Sequence, residues 1–227
     1  MTESVLEPAG SVVSVNVGSP REIEWRGRRV RTSIFKSPVA GVVRVDRLNL
    51  AGDQQSDPSV HGGVHKAVYA FPSEHYVWWR LELQNPDLGW GAFGENLTVS
   101  GLTESSVSIG DRFRVGTAEL QVTQPRLPCY KLNIRLGRGD MEARFLRSGG
   151  TGFYLSVVRE GELEAGDAIA LIERADHSMS VAEIVALYTG RPDANLVRRA
   201  AELAVLPQGV REHFRRRLAG EEARANG

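Results

Sequence analysis

The sequence predicts a mainly β protein with some α structure, in which a barrel or curled sheet of short strands precedes a small unit of three helices. From about residue 11 to 173, short alternating segments recur between glycine, proline and aspartate breaks, which is how half-buried strands and turns read. So many short strands in one domain suggest a closed or curled sheet. After Glu173 the apolar spacing changes to the helical period. The 227 residues, 41% hydrophobic and 25% charged, suffice for one sizeable core and a small appendage.

In chain order, strands are expected at residues 11–17, which alternate well in their second half, and at 39–45, 67–71, 97–99 and 112–115. Further strands are expected at 118–124, which alternate throughout, and at 153–159 and 168–173. Two helices interrupt them, one over 73–83 opened by Pro72-Ser73, and a shorter one over 140–147 closed by Gly149-Gly150. In the tail, Ser180 and Glu183 form a capping box ahead of Ile184, Leu187 and Tyr188. Pro192 and Pro207 then divide the remainder into two more helices. The expected division is a barrel domain over 10–173 and a three-helix domain over 174–222, the latter dispensable for ligand binding. Arg211, Arg215, Arg216 and Arg217 on the last helix read first as a solvated face, and also as a docking surface for a partner protein.

Bulk charge narrows the function. Lysine plus arginine equals aspartate plus glutamate at 28 each, so no overall field calls for nucleic acid or an anionic membrane, and any anion site must be local. No apolar run of about 18 residues occurs and Met1-Thr2-Glu3-Ser4 lacks the order of a signal peptide, so a cytoplasmic location is expected. The single cysteine, Cys129, cannot form an internal disulfide. Only Lys36, Lys66 and Lys131 are lysine among the 28 basic residues, and lysine and arginine are not interchangeable at a site. With three residues, coincidence is a serious competing explanation.

Four stretches look too polar or too constrained for plain scaffold. Residues 52–69 carry Asp53, Gln55, Asp57, His61-Gly62-Gly63 and Lys66, a glycine turn flanked by donors that suits a phosphate or a pterin, or else a tight turn entering a strand. His61 and His65 have zinc spacing, but Gly62-Gly63 argues against the helix this needs. Phe93-Gly94-Glu95-Asn96-Leu97 puts a carboxylate and an amide at a strand mouth, for ligand recognition or for local turn bonds. In 124–132 two prolines hold Cys129 in a rigid turn near Arg126 and Lys131, cations that favour the thiolate, against the alternative of a small buried filler. Gly149-Gly150-Thr151-Gly152 either supplies amides to the same pocket or caps a helix. Serine-hydrolase, P-loop and dinucleotide-binding fingerprints are absent, while a cysteine hydrolase with one of five histidines as base stays open.

Taken together, Gly52-Asp53-x-Gln55-x-Asp57, His61-Gly62-Gly63, Lys66-Ala67-Val68-Tyr69, Phe93-Gly94-Glu95-Asn96-Leu97, Gln124-Pro125-Arg126-x-Pro128-Cys129-Tyr130-Lys131-Leu132 and Gly152-Phe153-Tyr154 resemble MOSC domains of the YiiM-like type. The resemblance covers roughly residues 10–173, and the tail is similar to the three-helix domain of that subfamily. It implies a MOSC-type β-barrel holding a molybdenum cofactor, a molybdopterin with Mo, with Cys129 as protein ligand to the metal. It further implies reduction of small-molecule N-hydroxylated compounds, notably purine bases such as 6-hydroxylaminopurine, to the amine, with electrons from an external redox protein. A non-catalytic carrier or binder of the cofactor or of sulfur is the alternative. Soft thiolate and dithiolene sulfur suit such a redox centre. Glu95, His61 and Asp57 are the candidate proton donors, and His61, Lys66, Asn96, Arg126 and Lys131 the candidate cofactor holders. No membrane or nucleic-acid partner is expected, and a homodimer is left open.

Overall fold

The computed structural model describes residues 8–56, 62–176, 179–190 and 193–225. Its main sheet runs in the order β13-β9-β10-β11-β7-β8-β1-β4, and an added pairing of β1 with β13 closes the first seven into a barrel. These strands are β1 (Pro8–Val17), β4 (Ser37–Val39), β7 (Val68–Pro72), β8 (Leu97–Ser100), β9 (Arg112–Val115), β10 (Ala118–Pro125), β11 (Phe153–Arg159) and β13 (Ala168–Glu173). All pairs are antiparallel except β7 with β8, where Ala70 faces Leu97 and Phe71 faces Thr98. A parallel pair needs a crossover, here α1 (Glu74–Glu82) and the turns after it.

Strand β7 explains the layout. All five of its residues are buried. Because successive side chains point to opposite faces, Val68 and Ala70 enter the barrel core with Val122, Phe153 and Leu155. Tyr69 and Phe71 point outward into a second cluster with Tyr76, Trp79, Phe93 and Phe145. Tyr76 and Trp79 come from the buried side of α1, and Phe145 from α3 (Met141–Ser148), whose C-cap Gly149 takes the left-handed φ of 72°. One barrel wall is therefore covered on both faces.

One local expectation is corrected and two unexpected elements are added. Residues 39–45 do not form one strand: Gly41, at φ 79°, breaks them, so that β4 pairs with β1 while β5 (Val43–Asp46) joins β6 (Asn49–Leu50) and β12 (Gly161–Leu163). A hairpin of β2 (Arg21–Trp25) and β3 (Arg28–Thr32) was not expected. Its two-residue turn puts both Arg26 (φ 52°) and Gly27 (φ 73°) in the left-handed region, a type I′ geometry that usually advertises itself as Asn-Gly. Residues 130–136, for which no element was expected, form the helix α2 (Tyr130–Leu136) with extended Cys129 as its N-cap.

The tail forms α4 (Val181–Thr189), α5 (Ala194–Glu202) and α6 (Gln208–Ala225). The capping box is present: the Glu183 backbone donates to Ser180 Oγ at 3.1 Å and the Ser180 backbone to Glu183 Oε2 at 2.7 Å. Ile109 N donates to Met179 O and Val181 N to Val107 O, both at 2.9 Å, stitching the tail to the loop between β8 and β9. Buried Met179, Ile184, Val197 and Phe214 lie in one continuous hydrophobic cluster with the barrel interior. Among the described residues no helix is long and apolar enough to cross a membrane.

A chain truncated after Glu173 loses this cover over Val107 and Ile109. Lower thermal stability and increased binding of a hydrophobic dye are expected, because removing buried apolar contacts costs about 25 cal/mol per Å² uncovered; an unchanged melting temperature would show that the barrel does not need the tail.

Candidate functional site

On the outward side of the two-faced wall lies a cleft lined by Tyr69 of β7, Tyr154 of β11, Arg126 just after β10, Cys129 and Lys131 at the start of α2, Lys66, Lys36, Asp53, Asn96, Thr32 at the end of β3, and Ser33 and Ile34 after it. All three lysines of the sequence line it. The cysteine is partly exposed there.

Arg126 is 5% exposed, its guanidinium lies 5.5 Å from the Tyr69 ring centroid and 5.3 Å from that of Phe145, and its Nη1 is buried with no hydrogen-bond partner among the described residues. An unsatisfied donor on a buried cation is costly. Burial pushes the Tyr69 and Tyr154 phenols above their ordinary range against the pull of Arg126, so both remain neutral donors. Lys66 is pulled below the ordinary lysine range by burial, with Cys129 acting in the opposite direction.

A second layer aligns these groups. Asp53 is ion-paired with Lys36, and it accepts from Gly18 N at 2.9 Å and Asn96 Nδ2 at 2.9 Å. Asn96 Oδ1 in turn accepts from Tyr69 N at 3.1 Å. Gly94 takes φ 82° with its Cα against Ile34, where an added Cβ would lie 2.7 Å from Ile34 Cγ1. Gln55 fastens the glycine turn, accepting from Gly63 N at 3.3 Å while donating to Leu48 O at 2.8 Å.

The structure brings together Cys129, Lys66, Asn96, Arg126 and Lys131, all expected at the site. Asp57 and His61 lie outside the described residues. Glu95 requires correction as a proton donor: it is fully buried, does not line the cleft, and its carboxylate accepts from Tyr76 OH, Gly91 N at 2.7 Å, Phe93 N at 3.1 Å and Thr98 Oγ1 at 2.9 Å. The Gly149–Gly152 stretch is likewise structural, since Gly149 caps α3 and Gly152 N donates to Glu104 Oε1 at 2.6 Å. Sequence reasoning did not place Lys36, Asp53 or Tyr154 in a site role; the rarity of lysine was the signal for the first. No group of three or more histidine, cysteine or carboxylate side chains is arranged to hold a metal among the described residues, so Cys129 is a single thiol beside cations.

A mixed barrel with an outward basic cleft around one thiol defines a class, and sequence comparison places the chain within it: residues 57–170 match the MOSC domain, and the chain belongs to that family. Residues 179–221 match the YiiM-like, 3-alpha helix domain. The uncharacterized protein YflK of Bacillus subtilis (strain 168) is 44% identical over 171 residues, 75% of this chain and 77% of that protein. A protein of Gibberella moniliformis named Reductase is 35% identical over 161 residues, 70% of this chain but only 28% of that longer protein. Among solved structures, YiiM from Geobacillus stearothermophilus superposes with a TM-score of 0.77 at 37% identity, covering 92% of this chain and 99% of that one.

Asp53→Asn tests the aligning layer. Lys36 sits below its usual 10.5 because burial disfavours its charge, with Asp53 the main opposing influence. Breaking a buried ion pair from one side costs about 3–5 kcal/mol. Since the folded pKa lies below the unfolded one, stability rises with pH between the two, and the variant's deficit should narrow as the pH rises through the lysine's lowered pKa. Urea denaturation at neutral and alkaline pH checks both.

Proposed function

We propose that the protein is a molybdenum-cofactor-dependent oxidoreductase that reduces N-hydroxylated compounds, including N-hydroxylated purine bases, to the amine. The observation that supports this most is the buried, unpartnered Nη1 of Arg126 in a cleft that also holds Cys129, Lys66 and Lys131. This donor set fits a phosphate-bearing pterin with a soft metal: cations and a free N–H for the phosphate, two aromatic side chains beside them, and a thiol for the metal. The reductive direction is supported by the name of the fungal relative.

When bound, the cofactor supplies the two-electron couple at the metal. Cys129 Sγ, at the N-cap of α2, would be the protein ligand to that metal. Lys66, Arg126 and Lys131 bind the anionic end, and Tyr69 and Tyr154 wall the cleft. Cleavage of R–NHOH to R–NH2 consumes two electrons and two protons and releases water. Lys36, whose ammonium reaches the cleft while bonded to Asp53, is the described residue best placed to pass a proton, a role expected at first of Glu95, His61 and Asp57. Electrons come from a separate redox protein. No residue of the described tail lines the cleft.

Cys129→Ser should abolish reduction of an N-hydroxylated purine and metal-centred redox behaviour while leaving the circular dichroism spectrum unchanged, because oxygen is a harder and poorer partner than sulfur. Full activity in this variant would remove the proposal. Arg126→Ala should lower molybdenum content after expression in a cofactor-competent host, with a loss of about 1.5–3 kcal/mol of binding for a desolvated charged hydrogen bond. Wild-type protein that binds molybdenum and pterin without turning over N-hydroxylated bases would favour a carrier.

A further inference from the structure

Beyond the cleft, α2 continues a line of positive charge. Lys131 lines the cleft and Arg135 follows four residues later on the same helix, so the two cations share a face about 6 Å apart along the axis. Like charges at this spacing destabilise a helix. Arg135 lies over the Phe35 ring at 5.3 Å from its centroid, and Arg21 of β2 lies over the same ring at 5.5 Å. Phe35 itself stands between Ile34 and Lys36, both of which line the cleft. Two guanidiniums thus share one aromatic ring, and among the described residues neither has an ion pair with a carboxylate. Arg135 Nε is buried with no hydrogen-bond partner. Glu95 is the main source of compensating charge, but its oxygens are committed to Tyr76, Gly91, Phe93 and Thr98. Burial chiefly, and Arg21 to a smaller extent, push Arg135 below the ordinary arginine range against the opposing pull of Glu95.

We propose that Arg21, Phe35 and Arg135 form a second oxyanion site, at the rim of the cleft, that takes a phosphate group of a ligand whose other end lies beside Cys129. Guanidinium forks match phosphate oxygens bidentately, and the ring holds both forks in place before binding, which lowers the ordering cost. A tetrahedral dianion between the two arginines relieves their repulsion and satisfies the buried Nε. The phosphate could belong to a phosphorylated substrate or to the cofactor's own extension. The inference rests on reading the cleft as an anion cradle, and not on the redox chemistry.

Calorimetric titration of cofactor-free protein with inorganic pyrophosphate tests the site without reference to activity. Arg135→Gln and Arg21→Gln should each weaken binding about tenfold, as expected for loss of one charged hydrogen bond. Arg138→Gln, which removes an exposed arginine paired with Asp140 near the same helix end, should leave it unchanged. Arg135→Lys, which keeps the charge but not the fork, should fall between. Equal binding by wild type, Arg135→Gln and Arg21→Gln overturns the proposal, and so does an effect of Arg135→Gln without one of Arg21→Gln. Repeating the titration on cofactor-loaded protein separates the sources: Arg135-dependent binding that persists assigns the site to a substrate phosphate, and binding blocked by loading assigns it to the cofactor. Tight pyrophosphate binding in a protein that proves to contain no molybdenum would leave this site standing while removing the redox reading.

Discussion

One buried carboxylate holds the geometry of the cleft. Glu95 has no solvent contact, and its four donors come from α1, from the turn before β8 and from β8 itself. Each of those bonds restrains the backbone of residues 91–98, and so fixes where Gly94 lets Ile34 approach and where Asn96 reaches Asp53. Burial raises the Glu95 pKa, and the bond from Tyr76 leads the opposing influences. A carboxylate so placed satisfies the turn and cannot also serve a substrate. Local hydrogen bonding and catalysis compete for the same oxygens, and here the turn takes them.

From that turn the order passes outward through side chains of opposite charge. Asn96 holds Asp53, and Asp53 holds Lys36. The three lysines gather in one place while arginine serves almost everywhere else. The physical reason lies in the difference between the two cations. A compact ammonium on a flexible stem can enter a crowded cleft, where burial lowers its pKa, as it does for Lys36 and Lys66. Arginine stays charged, and where it lies in or beside the cleft, at Arg126 and Arg135, aromatic rings hold its plane.

Much of the barrel was legible because inward and outward residues alternate along β10 and β11, and because turns carry glycine at positive φ. The β2–β3 hairpin was not, since its strands, Arg-Glu-Ile-Glu-Trp and Arg-Arg-Val-Arg-Thr, are half exposed and offer little apolar signal. Its register sets Glu22 opposite Arg31 and Glu24 opposite Arg29. Helix α2 was masked by the prolines before it. Cys129, Arg126 and Lys131 could be grouped from spacing alone, because they lie within six residues. Tyr154 and Lys36 could not, for they reach the same cleft from β11 and from the segment after the hairpin, and only the closed sheet brings those elements together.

The closure of the sheet also separates two tasks. Inward-facing residues of the barrel merge with the buried sides of α4, α5 and α6 into one apolar cluster, so the tail completes the core and contributes no described residue to the cleft. Outward-facing Tyr69, Phe71 and Tyr154 meet α1, α3 and the turn of Phe93, where aromatic packing gives a stiff floor. Stiffness there matters because a guanidinium can remain buried with an open donor only if its surroundings cannot collapse onto it. Arg126 is held between Tyr69 and Phe145 on that floor, its Nη1 without a hydrogen-bond partner among the described residues. The same two-period alternation that builds the barrel therefore also builds the site, with stability assigned to one side of a strand and recognition to the other.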